Sequence, residues 1–174
     1  MIREKVDLID RIDIVNNYGV NLEEAIIYIA GELDAIVNLT LRTKIDMIKE
    51  YYKSQKRELS EINFFVNSPG GDVIAIFSLM DLYDSLLKEG IKVNVLAEGV
   101  CFSATTFLVA CATGKRRASK NTRFLVHEMQ ISGINGTHTQ TKSFQKEIGF
   151  LNERMLSVYA ECTSKKKGKT LLSK

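Results

Sequence analysis

The only proline of this 174-residue chain lies in Asn67-Ser68-Pro69-Gly70-Gly71, directly after the apolar run 62–66 and directly before a helical apolar pattern. Proline presets one φ and the two glycines release the next two, so the chain must turn sharply here. A strand that turns straight into a helix is half of a β-α unit, and the rest of the chain repeats it. The run Ala25-Ile26-Ile27-Tyr28-Ile29-Ala30 closes on Gly31 and suits a strand buried on both faces. Asp34 then stands where it can cap a helix with Ile36, Leu39, Ile45, Ile48 and Tyr52 at roughly helical spacing, followed by a charged loop at 54–60. Past Gly71 the helical stripe is Ile76, Leu79, Met80, Tyr83 and Leu87, stopped at Gly90. A third strand is expected at 91–97, a short helix from about Ser103 to Cys111, and a further strand at 123–126. Phe144, Ile148, Leu151, Met155, Val158 and Cys162 mark a long amphipathic helix over about 138–163. Strands alternating with helices predict an α/β fold of parallel strands and right-handed crossovers, with functional groups at the carboxyl ends of the strands.

Composition narrows the class further. At 45% hydrophobic and 26% charged residues, a chain of this length can bury one core, and a single domain over 1–174 is expected. A net charge of +3 spread along the sequence leaves no footprint for nucleic acid. Cys101, Cys111 and Cys162 show no C-x-x-C or Cys/His ligand spacing, so neither metal nor cofactor is expected, and they read as small buried hydrophobes in a reducing compartment. The start Met1-Ile2-Arg3-Glu4-Lys5-Val6-Asp7 lacks the apolar stretch of a secretory signal, and the weakly polar run 101–113 is too short to span a bilayer. A cytoplasmic protein with no membrane partner is the expectation. Lys165-Lys166-Lys167 reads as part of a solvated tail.

Three segments that end strands carry chemistry: Asn67-Ser68-Pro69-Gly70-Gly71-Asp72-Val73, Gly99-Val100-Cys101-Phe102-Ser103-Ala104 and Arg123-Phe124-Leu125-Val126-His127. Acyl transfer needs a hydroxyl nucleophile, an imidazole base, and backbone donors for the developing oxyanion. Ser103 falls where a strand passes into a helix, beside unpaired N–H groups. His127 leaves the end of an apolar strand, and an imidazole of ordinary pKa, about 6.5, accepts a proton at neutral pH. Gly70 and Gly71 let backbone approach a substrate closely. His138 opens the long helix among threonines and reads as solvated, while Asp72 reads as a helix cap in preference to a third catalytic group.

N-S-P-G-G after a strand, G-x-x-x-S at a helix start and V-H after another strand resemble the Clp protease proteolytic subunit family. Gly114-Lys115-Arg116 is similar to its G-K-R stretch, Asn121-Thr122-Arg123 to its N-S-R, and the long helix after Gly136 to its handle helix. The resemblance implies a ClpP/crotonase-like superhelix of repeated β-β-α/β-α units with a protruding handle region at 131–163, and axial loops formed by 1–24. It assigns Ser103 as nucleophile and His127 as base. The N–H groups of Gly71 and Ala104 take the oxyanion-hole positions, with Gly70 and Val73 in the substrate-binding segment. It further implies cleavage of unfolded protein or peptide substrates, stacked seven-membered rings, and an AAA+ unfoldase as partner. Around the serine the chain has Phe102-Ser103-Ala104-Thr105 where the family usually has A-S-M-G, and Glu128-Met129 follows the histidine in place of Gln-Pro. The family's orienting aspartate would fall a few residues beyond Lys174, which suggests either a shortened protein or a subunit without that group. A catalytically silent subunit and a crotonase-type acyl-CoA enzyme are the alternatives.

Overall fold

The computed structural model describes residues 8–130 and 137–163. The first residues of the expected handle region, 131–136, and the lysine-rich tail lie outside the described residues. The chain divides into two compact units, Met1–Leu125 and Val126–Lys174.

The first unit is built on a mixed sheet of β1 (Val20–Asn21), β2 (Ile26–Ala30), β3 (Glu61–Ser68), β4 (Lys92–Phe102), β5 (Arg116–Ala118) and β6 (Arg123–Leu125). The strand order is β1-β2-β3-β4-β5, with β6 also paired to β4. All pairings are parallel except β1 with β2, which corrects the all-parallel expectation. That exception is a local one, because β1 and β2 are joined by only a few residues and so pair as a hairpin. The helices are α1 (Leu8–Tyr18), α2 (Ala35–Ser54), α3 (Val73–Lys88) and α4 (Thr105–Ala110). α1, β1 and β5 are absent from the sequence expectation.

Strand alternation locates the core. Ile62, Phe64, Val66 and Ser68 of β3 are buried, while Asn63, Phe65 and Asn67 between them are not. β2 follows the same rule, with Ile27 and Ile29 buried and Tyr28 and Ala30 exposed. The expectation of a strand buried on both faces is therefore corrected: side chains of period two cover one face. Each large aliphatic or aromatic side chain so enclosed contributes roughly 1.5–3 kcal/mol.

The helices are phased differently from the sequence reading. In α2 the buried stripe is Asn38, Leu41, Ile45, Ile48 and Tyr52, at alternating steps of three and four. Ile36 and Leu39 are 72% and 68% exposed. Asn38 occupies an inward position because its Nδ2 donates to the Ala75 carbonyl at 2.9 Å, fastening α2 to α3. In α3 the stripe is Ala75, Ile76, Leu79, Leu82, Tyr83 and Leu86, with Leu87 outside it. Asp34 and Asp72 are N-caps, accepting the Val37 and Ile74 N–H groups at 2.8 Å each.

The second unit contains α5 (His138–Thr163). Thr137 and Gln140 form a reciprocal cap: the Thr137 N–H donates to Gln140 Oε1 at 2.8 Å and the Gln140 N–H to Thr137 Oγ1 at 3.4 Å. Met155 and Val158 are buried, whereas Phe144, Phe150 and Leu156 are exposed. Among the described residues no helix is long and apolar enough to cross a membrane.

Candidate active site

The site begins with a register shift. Val66 pairs with Ala97 but Ser68 pairs with Cys101, so β4 carries extra residues around Gly99 that β3 does not match. Asn67 closes this bulge by accepting the Val100 N–H on Oδ1 at 3.1 Å. A bulge bends its strand and redirects the residues beyond it. Past it, Val100, Cys101 and Phe102 pair with Arg123, Phe124 and Leu125, and β4 runs on to Phe102 instead of ending near residue 97.

The Pro-Gly-Gly turn is strapped to Leu33. The Leu33 N–H donates to Gly70 O at 2.8 Å and the Asp72 N–H to Leu33 O at 2.7 Å. Gly70 and Gly71 have φ of 109° and 153°, a region side chains rarely adopt. Space forbids a side chain as well: a Cβ on Gly71 would collide with the Leu33 backbone, and one on Gly70 would lie 2.7 Å from Ser103 Cβ and 2.9 Å from Phe102 O. The turn after β3 and the turn after β4 are thus in direct contact.

Ser103 occupies the second turn with φ of 52°. A non-glycine residue there carries a cost of about 1–2 kcal/mol. Surrounding bonds hold it: the Ser103 N–H donates to Leu125 O at 2.7 Å, and Ser103 O accepts the Thr106 N–H at 3.0 Å and Thr106 Oγ1–H at 2.6 Å. The side chain remains half-exposed while Ala104 is buried. Because α4 begins at Thr105 and spans only 6 residues, individual N–H groups matter here more than a macrodipole. Among the described residues neither the Gly71 N–H nor the Ala104 N–H has a hydrogen-bond partner. Val73 opens α3 immediately after the turn and is half-buried.

His127 lies in the second unit. Its Nδ1 is 2.6 Å from the Glu128 carbonyl, which can only accept, so Nδ1 carries a proton and Nε2 holds the lone pair of the neutral ring. His138 is exposed at the first position of α5. The described residues contain no cluster of His, Cys, Asp or Glu that would hold a metal. Sequence reasoning overlooked Ser68 and Thr105, two fully buried hydroxyl residues beneath the site. Only the inward phase of Ser68 at the end of the 62–68 alternation hints at its burial.

A mixed sheet flanked by helices, with a strained serine where a parallel strand meets a helix and a glycine turn packed on it, defines an α/β protein of the ClpP/crotonase-like architecture. A model of the family described as Clp protease matches residues 11–171, and the chain belongs to that family. It is 27% identical over 148 residues to the ATP-dependent Clp protease proteolytic subunit 4, chloroplastic, of Arabidopsis thaliana. That match takes in 84% of this chain and 48% of the relative, so the chain spans about half the length of the curated relative it matches.

Proposed function

We propose that the chain is a serine-type endopeptidase subunit of a Clp-type protease, acting on unfolded polypeptide. The observation that carries this reading is Ser103 itself, held at φ of 52° at a strand-to-helix turn and only partly buried. A cap or a core serine does not need that conformation; an exposed nucleophile on a sharp turn does. In this reading His127 takes the Ser103 Oγ proton through Nε2 as Oγ attacks the scissile carbonyl. The N–H groups of Gly71 and Ala104 receive the developing oxyanion, and each such donor is worth about 10²–10³ in kcat. The proton passes from His127 to the leaving amine, and water then releases the acyl group from Ser103 by the same route. Gly70 and Val73 flank the peptide backbone.

Subunit association and an AAA+ unfoldase partner belong to the same proposal. They are supported by family membership and by a relative whose name describes an ATP-dependent proteolytic subunit. A cytoplasmic setting is in keeping with a thiol, Cys101, buried within the sheet.

The test is labelling with a fluorophosphonate followed by peptide mass mapping. Modification of Ser103, absent in Ser103→Ala, is the expected result. An intact, folded protein that takes up no label at Ser103 would point to the catalytically silent subunit instead.

A further inference from the structure

Next to the site a pair of hydroxyl residues is buried in a core that is otherwise mostly apolar. Ser68 and Thr105 are both 0% exposed, although Ser68 is the last residue of β3 and Thr105 the first of α4. Buried positions close to them in the chain are mostly apolar: Val66 two residues before Ser68, and Ala104 and Phe107 on either side of the polar Thr105 and Thr106. Burying a hydroxyl costs about 1–3 kcal/mol unless it is hydrogen-bonded, and here the bonds made are specific. Thr105 Oγ1 donates to Ser68 Oγ at 2.8 Å, and the Gly70 N–H donates to the same Ser68 Oγ at 3.1 Å. One oxygen therefore joins the turn after β3 to the turn after β4.

We propose that Ser68 and Thr105 form a clasp that sets the spacing between the Gly71 and Ala104 N–H groups, making both hydroxyls positioning residues for the oxyanion site. The inference rests on the acyl-transfer reading of Ser103. The Gly70 N–H is consumed by Ser68, and the Asp72 N–H and Gly70 carbonyl are consumed by Leu33. The peptide between them is pinned from two sides, and the Gly71 N–H is left to point elsewhere. The Leu33 bonds reach only the Gly70–Asp72 turn, whereas Ser68 bonds both to that turn and to Thr105, the residue that follows Ala104. Two donors aimed at one oxygen must keep their separation to a fraction of an ångström, because hydrogen-bond strength falls steeply with distance and angle. A backbone contact between glycine and serine restrains approach but not orientation, and the clasp supplies the orientation.

The experiment compares Thr105→Val, Ser68→Ala and Thr105→Ser in the full chain. Thr105→Val keeps the branched shape and removes the bond; Thr105→Ser keeps the bond and loses a methyl group. For a fluorogenic peptide, kcat should fall about tenfold in Thr105→Val and in Ser68→Ala with KM little changed, and return to within about twofold of wild type in Thr105→Ser. Amide hydrogen exchange at Gly70 should rise about tenfold in the first two variants and stay near wild type in the third. A merely structural pair would lower thermal stability in all three without separating kcat from KM. Wild-type kcat and exchange in Thr105→Val, or no recovery in Thr105→Ser, would overturn the clasp while leaving Ser103 as nucleophile. A wild-type protein that neither takes the fluorophosphonate nor turns over peptide would instead remove the acyl-transfer reading, and the positioning role with it.

Discussion

The Ser103 N–H donates to the Leu125 carbonyl at 2.7 Å, tying the residue that leaves β4 to the last residue of β6. The bond falls where the Ser103 backbone enters the left-handed region, so the ladder between β4 and β6 holds the strained turn in place. Strain of this kind persists only where the neighbouring structure over-determines it.

Relief of that strain is measurable. Ser103→Gly is expected to stabilise the fold by up to about 1 kcal/mol in urea unfolding, since glycine adopts this φ without cost but loses more chain entropy. Ser103→Ala keeps the strain and should unfold near the wild-type midpoint. Both variants should reduce peptide hydrolysis to background. A destabilised Ser103→Gly would show that the turn is not strained.

Gly70 has no space for a methyl group. Gly70→Ala brings Cβ to 2.7 Å from Ser103 Cβ and 2.9 Å from Phe102 O, at a φ of 109°. We expect a loss of about 1–3 kcal/mol in stability and a larger proportional loss of fluorophosphonate labelling at Ser103. Labelling at the wild-type rate would mean that the two turns can separate without consequence.

Asp72 separates capping from catalysis. Its Oδ1 accepts the Ile74 N–H at 2.8 Å, so Asp72→Ala should cost about 1 kcal/mol of stability and Asp72→Asn much less. Neither should change kcat beyond a few-fold. If Asp72 oriented the histidine, both variants would lose up to about 10⁴ in kcat, and steady-state kinetics would show it.

Cys101 introduces a pH dependence at the alkaline end. Burial pushes its thiol pKa up to about 12 from 9.0. A pKa raised in the folded state means that the folded protein holds the proton more tightly, so this contribution to stability is intact below pH 9 and is lost between pH 9 and about 12. Urea midpoints should fall across that window, and less so in Cys101→Ala after allowance for its cavity. Folded protein at pH 8 should leave Cys101 unmodified by iodoacetamide.

Association is expected to involve α5. Phe150 is 63% exposed, so Phe150→Asp should barely change the stability of an isolated chain. If the exposed apolar side chains of α5 meet other subunits, the variant will show a lower native mass by light scattering with unchanged helix content. An unaltered mass would place the contacts elsewhere.

Local chemistry decided a large part of this protein. The segment from 62 to 88 was readable because each instruction in it acts within a few residues: alternation builds β3, Pro69 and two glycines turn the chain, Asp72 caps α3, and a helical period places Ile76, Leu79 and Tyr83 inward. Motif spacing and family resemblance single out Ser103 and His127, and their catalytic roles belong to the proposed function. Phase within α2 was not legible, because Ile36 and Leu39 look like core residues and Asn38 does not, until the Ala75 carbonyl supplies its partner. β5 escaped for a related reason: Arg116–Ala118 has no apolar alternation and is extended only because Val95, Leu96 and Ala97 pair with it. The strand at 123–125 was readable from its apolar residues, but its place beside the end of β4 was not. The bulge at Asn67 and Gly99, the contact of Gly70 with Ser103, and the bond between Ser68 and Thr105 join residues more than thirty positions apart. Each comes from packing over long stretches of chain, and a serine or threonine that will clasp a turn carries the same local signals as one that faces water.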